Sequence, residues 1–221
     1  MKKVMWVLCI LLAGCASQVA TVDVAGIERS SALPVQDLRP ETERRGETFS
    51  YSISNDAYAI YRLEDGATNP SAVRLLQHRA FEQFSGKSGV AAVKVHHLVV
   101  YRNMQAEFRR VAVGGALGGI LGGTAAVVLI GDPIKGLAGT ATSAVDLQAF
   151  EALDATEYKR ALYSAQENPG RGSVHVVYIE TEIDNQRVFT RTVGPMKDKD
   201  GNIALSGIVD ASIKSHLSQY R

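Results

Sequence analysis

The sequence predicts an α+β fold: a two-layer domain with a mostly antiparallel sheet and helices on one face, plus an inserted glycine-rich helical hairpin. Three observations carry this expectation. β-branched and aromatic runs recur in the order strand, strand, helix, strand, then strand, strand, helix. Between the halves lies a stretch, residues 111–131, without a single charge and rich in paired glycines. Hydrophobic content of 46% and charged content of 21% in 221 residues are values of a globular domain with a real core. The expected organisation is a leader over 1–14, a tether over 15–31 and the first half-domain over 32–103. A hydrophobic hairpin over 104–145 follows, then a linking helix and the second half-domain over 146–221.

In the leader, Lys2 and Lys3 form a basic start and residues 4–12 an apolar run too short to span a bilayer. The run ends in Leu12-Ala13-Gly14-Cys15. This resembles the lipobox of bacterial lipoproteins, in which small residues before the cysteine fit the signal peptidase. The resemblance implies cleavage after Gly14 and acylation of Cys15, which makes the attachment effectively permanent. Ala16 after the cysteine implies sorting to the outer membrane, with the domain facing the periplasm. Cys9 and Cys15 are the two cysteines, so the folded part has no disulfide and no thiolate metal site. The net charge of +1 becomes −1 without Lys2 and Lys3, a balance that offers no footprint for nucleic acid.

In the first half, residues 33–38 read as an edge strand, because Pro34 lacks a donor for a central ladder. Arg39-Pro40 and the charge run over 41–47 read as a solvated loop, the alternative being a recognition loop built on Arg39, Arg44 and Arg45. Residues 58–63 form a strand pattern, and Asn69 followed by Pro70 reads as the start of a helix. In that helix Val73, Leu76, Ala80 and Phe84 share an apolar face. Gly86-Lys87-Ser88 lacks the earlier glycine of a phosphate loop, since position 81 is Phe81. Residues 90–101 are the best strand candidate. Its His96 and His97 point to opposite faces unless a bulge intervenes, so they do not form a metal pair.

In the glycine stretch, Gly114, Gly118 and Gly122 repeat every four residues, and so do Gly115, Gly119 and Gly123. On a helix the two rows form one stripe without side chains, along which another backbone can approach closely. Gly131-Asp132-Pro133 breaks the helix, and residues 134–145 form a second, weaker arm with Lys135 near its start. The repeat resembles the glycine-zipper segments of bacterial envelope proteins, some of them lipoproteins. Three arrangements are open: a hairpin inserted in or apposed to the membrane, a helical hairpin covering the sheet, or a glycine-rich loop.

In the second half, residues 147–166 read as an amphipathic helix with Phe150, Leu153, Tyr158 and Leu162 on its buried side. Residues 174–183 and 187–193 form a hairpin around Asp184-Asn185-Gln186. On the first of these strands Glu180 and Glu182 are expected to face water. Asp198, Asp200 and Asn202 have the early spacing of a calcium loop, but Ile203 and Val209 stand where glycine and glutamate are needed. Leu205, Val209, Ile213 and Leu217 form the stripe of a last helix. The element order loosely resembles that of small periplasmic lipoprotein domains, including those of the peptidoglycan-synthase activators and the curli-secretion family.

No catalytic constellation, metal site or cofactor motif is visible, so the expectation is a non-enzymatic, lipid-anchored envelope protein. Its expected partners are the membrane through its acyl chains, an envelope protein or the cell wall, and its own copies. The alternative is a subunit of an oligomeric pore or secretion-type assembly in the outer membrane. A hydrolase reading would need His96 or His97 gathered with a carboxylate and a serine in one cleft.

Overall fold

The computed structural model describes residues 19–53, 56–85, 92–104, 140–164, 167, 173–197 and 204–220, the side chains of 50–53 and 56–59 excepted. Among them the fold is α+β. Its elements are β1 (Ala20–Thr21), β2 (Val35–Asp37), β3 (Glu47–Ile53), β4 (Asp56–Arg62), β5 (Thr68–Asn69), α1 (Ala72–Phe84) and β6 (Val93–Asn103). Then come β7 (Ala141–Ala144), α2 (Leu147–Glu151), β8 (Val174–Ile183), β9 (Gln186–Pro195) and α3 (Leu205–Leu217). The main sheet runs β3-β4-β6-β8-β9-β7, antiparallel throughout, and β2 adds to β6 in parallel. β1 and β5 form a separate two-residue parallel pair.

Both long helices lie on one face. On α1, Leu75, Leu76, Ala80 and Phe84 are buried, and on α3 the stripe Leu205, Val209, Ile213 and Leu217 is buried with them. They meet Val93, Val95, Leu98 and Val100 of β6 and Val177, Ile179 and Ile183 of β8. Helix α1 is capped by Ser71, whose hydroxyl accepts from the Arg74 amide, and not by Asn69. Asn69 is already engaged in β5, where its carbonyl accepts from the Val22 amide at 2.8 Å. The close seating of α3 depends on Gly194: a Cβ there would lie 2.2 Å from Cδ1 of Ile208. Polar links cross this apolar layer. His216 of α3 bonds the Thr181 hydroxyl through Nε2 (2.7 Å) and the Thr190 hydroxyl through Nδ1 (2.8 Å). Burial lowers its pKa to about 3, so the ring is neutral and bridges β8 and β9 without bringing a charge.

The opposite face is aromatic and charged. Tyr101, Phe150, Tyr178 and Phe189 pack with Ile60, Val99, Val174, Val176 and Val193 under the segment that follows β7. The helix expected over 147–166 is instead the short α2, capped by Asp146, followed by a 3-10 stretch over Asp154–Ala161 with a break at Thr156. Arg160 explains the break. Its guanidinium sits 3.7 Å from the centre of the Phe150 ring and donates to the Phe150 carbonyl at 2.8 Å. In a continuous helix residues ten apart are separated by about 15 Å, so this contact requires the chain to fold back. The β8–β9 hairpin turns on Asp184 and Asn185 with φ of 50° and 64°, the left-handed pair of a two-residue hairpin.

Two boundaries move. The tether expected over 15–31 is largely part of the fold. Ala20, Val22 and Val24 pack on the core, and a 3-10 turn over Ile27–Ala32 lies on α1, with the Ile27 carbonyl accepting from Arg74. The hairpin expected over 104–145 ends sooner, because residues 141–144 are the edge strand β7, with Thr142 bonded to Thr192 of β9. The rest of that segment, the leader, the Gly86-Lys87-Ser88 run and the 198–202 loop lie outside the described residues.

Candidate functional site

Strand β6 carries the least ordinary chemistry of the domain. Its pairing with β8 shifts register between Val95 and His97, a bulge that turns both imidazoles to the aromatic face. The two do not converge. His96 Nε2 lies 3.3 Å from Glu182, which also accepts from Lys94 at 2.8 Å. His97 sits between two other carboxylates: Nδ1 is 2.5 Å from Glu43 Oε1, and Nε2 is 3.7 Å from Glu180 Oε2. Glu180 is 2% exposed, contrary to the wet position expected for it. Its Oε1 accepts from Arg187 at 2.7 Å, while its Oε2 has no hydrogen-bond partner among the described residues. The His97 ring stacks on Phe189 and meets the edge of Phe150. Among the described residues, no three His, Cys, Asp or Glu side chains are placed to hold a metal ion. The imidazole thus lies between two carboxylates and against two phenyl rings.

The charge run after β2 is mostly exposed, as expected, but Glu43 within it and Arg39 just before it turn inward. Strand β6 has one edge covered first by β2 and then by β4, and the gap between them is closed by side chains. The Leu98 amide donates to Glu43 Oε2 (3.3 Å), and the Leu98 carbonyl accepts from Arg39 Nη1 (3.1 Å). On either side Val95 O takes the Leu38 amide and Val100 O the Leu63 amide, both at 2.8 Å. Arg39 is 4% exposed and is held by Asp37 and Asp65, each through two hydrogen bonds. Burial works against the Asp37 carboxylate, but the Arg39 bonds and charge outweigh it and its pKa is lowered. Glu43, also 4% exposed, comes from a 3-10 turn over Glu41–Arg44. Sequence reasoning missed Arg39, Glu43 and Glu180. The four-residue spacing of Arg39 and Glu43 was visible, but nothing in the run marked which of its charges turn inward.

The residues singled out for function in the sequence lie outside the described residues: Leu12, Ala13, Gly14 and Cys15, and Gly114, Gly115, Gly118, Gly119, Gly122 and Gly123. Their neighbours are placed, however, and they converge. Asn103, the end of β6, pairs with Val174 at the start of β8, which pairs with Pro195 at the end of β9. Ala141 pairs with Val193, and Thr140 lies against Gly194. Both stems of the 105–139 segment therefore leave one end of the sheet, three strand spacings or about 14 Å apart. The N-terminal pair β1–β5 lies beside the starts of α1 and α3 and near Leu98 and Val100 of β6. Thr68 of β5 lines a cleft with Ala72 and Leu205, the first residues of α1 and α3, and α3 there rests its Ile208 on Gly194. No family model, no curated protein and no solved structure matches the chain.

Proposed function

We propose that this chain is a non-enzymatic, lipid-anchored envelope protein. Cys15 holds it to the outer membrane, and its periplasmic domain binds an envelope protein or the cell wall. The residues 105–139 lie against the bilayer or against a second copy. One observation carries the reading beyond the leader: both stems of the apolar segment come off one end of the sheet, and the N-terminal strand pairs with β5 where α1 and α3 begin, with α3 seating Ile208 on Gly194 near that end. Cys15 is five residues from Ala20, a reach of at most about 17 Å, so an acylated cysteine brings that end to the lipid surface. An apolar segment leaving the opposite end would have had to travel the length of the domain to meet the same bilayer.

Metabolic labelling with a radioactive fatty acid tests the anchor. Wild-type protein is expected to take up label, and Cys15→Ala to lose it and accumulate with its leader attached. Label retained by the Cys15→Ala protein would overturn the reading. The role of the apolar segment is tested by replacing 105–139 with a flexible linker long enough to bridge the two stems. The replacement must stop before β7, since a longer deletion removes an edge strand of the sheet.

A further inference from the structure

We propose that the cleft between the starts of α1 and α3 and the plugged edge of β6 binds a primary ammonium group on an unbranched alkyl stem. The inference goes beyond the anchored reading and needs only the folded domain, so it stands or falls independently of Cys15. Leu63, Leu98, Val100 and Leu205 supply most of the apolar wall of the cleft. Its polar lining is three carboxylates and one hydroxyl, on Glu43, Glu64, Asp65 and Thr68, and no cationic side chain lines it. Two of the carboxylates are engaged elsewhere: Glu43 with His97 and the Leu98 amide, and Asp65 with Arg39. Glu64 is exposed and, among the described residues, has no ion pair or side-chain hydrogen bond. Thr68 is a second and independent observation. It is only 7% exposed, yet its hydroxyl has no hydrogen-bond partner among the described residues. A buried hydroxyl without a partner is costly unless a group enters to bond it, and Thr68 lines the cleft from which such a group would come.

Size and lining select the guest. The free volume of the cleft is about 20 Å³, room for one group the size of water or ammonium. A planar guanidinium with its fork of five donors is too broad for it. A quaternary ammonium is recognised by aromatic faces, and no ring lines the cleft. A divalent cation needs converging ligands, and among the described residues no three His, Cys, Asp or Glu side chains are placed to hold one. A primary ammonium meets each requirement. It is a compact charge with three donors, for the Thr68 hydroxyl and for carboxylate oxygens with lone pairs to spare, and its stem can lie along the leucine and valine side chains. A water would fill the same volume, but it gives no reason for three carboxylates to meet where no cation lines the wall.

Amide NMR of the full chain in detergent micelles tests the site with n-butylamine as the probe. The amine is expected to shift the Thr68, Leu98 and Val100 amides, and 1-butanol and butyrate at the same concentration to shift them about fivefold less. Thr68→Val keeps the shape of the side chain and is expected to weaken binding about fivefold. Glu64→Gln, at an exposed position, should weaken it about threefold, while the Ile213 amide stays in place and reports an intact fold. Butanol acting as strongly as butylamine reduces the cleft to an apolar dent and overturns the ammonium site. So does a spectrum that butylamine leaves untouched, which assigns the cleft to a water alone. Nα-acetyl-lysine amide and putrescine separate the sources of the group. A response to the first supports the site as a reader of lysine side chains on a protein or peptide, and a response to putrescine alone supports it as a site for free amines.

Discussion

The two faces of the sheet are built from different chemistry. Under α1 and α3 the contacts are mostly aliphatic, with Phe84 edge-on to Tyr220, and the polar groups that join α3 to the sheet are neutral: an imidazole between two threonine hydroxyls, with Tyr220 bonding Thr181 as well. On the other face aromatic rings alternate with buried charges, each answered by an opposite charge. Arg62 pairs with Glu47 and Glu157, Arg160 with Asp154, and Arg191 with Glu167. The difference follows the covering element. A long regular helix presents a continuous apolar stripe and needs nothing else. A short helix and a 3-10 stretch cover less, and long arginine side chains complete the cover by laying their stems on rings while their heads find carboxylates.

Truncation on the helix face should break this comparison hardest. Ile213→Ala removes a fully buried side chain from the regular layer and is expected to cost about 2–5 kcal/mol in denaturant unfolding. Arg39→Met tests the charged side. It leaves Leu98 O without its donor and frees Asp37 and Asp65, which are partly exposed and rehydrate, so the loss should be smaller, about 1–3 kcal/mol. With Arg39 gone, the Asp37 pKa should also rise toward the ordinary carboxylate value, which a carboxyl NMR titration reads directly.

A change of pH tests the neutral polar link on the helix face. His216 is neutral in the fold down to about pH 3, whereas in the unfolded chain it takes a proton near 6.5. The unfolded state therefore binds more protons between those values. Stability is full above about 6.5 and falls by about 1.4 kcal/mol per pH unit below it, ceasing to fall near the folded value. His175, also lowered to about 3 by burial and by Arg102, adds to the same slope. Unfolding midpoints measured from pH 7 to pH 5 should show a shallower decline for His216→Gln than for the wild type. An unchanged slope would mean that the ring is protonated in place.

How legible this was depends on how local each signal is. The stripe of α3, the strands β6, β8 and β9 and the Asp184–Asn185 turn follow from periodicity and turn chemistry, which are properties of adjacent residues. Asn69 does not cap α1 because it has a distant partner, Val22, that no window around it contains. The linking helix was read as continuous because Arg160 and Phe150 lie on one segment but meet only when that segment folds back. Glu180 was assigned to water because alternation says which face a residue is on, not what covers that face. The sites at Cys15 and in the glycine rows remain readings of the sequence.

The plugged gap on β6 has a consequence for the life of the chain outside its native partners. A central strand with bare amide and carbonyl groups midway along one edge would be a template on which any extended segment, from this molecule or a neighbour, could add. Arg39 and Glu43 occupy that vacancy with the two groups a foreign backbone would need, and Asp37 and Asp65 hold the arginine in place. The charges beside β2 therefore act as guards against strand exchange and fibril seeding. Such protection matters wherever copies of the chain are held close together.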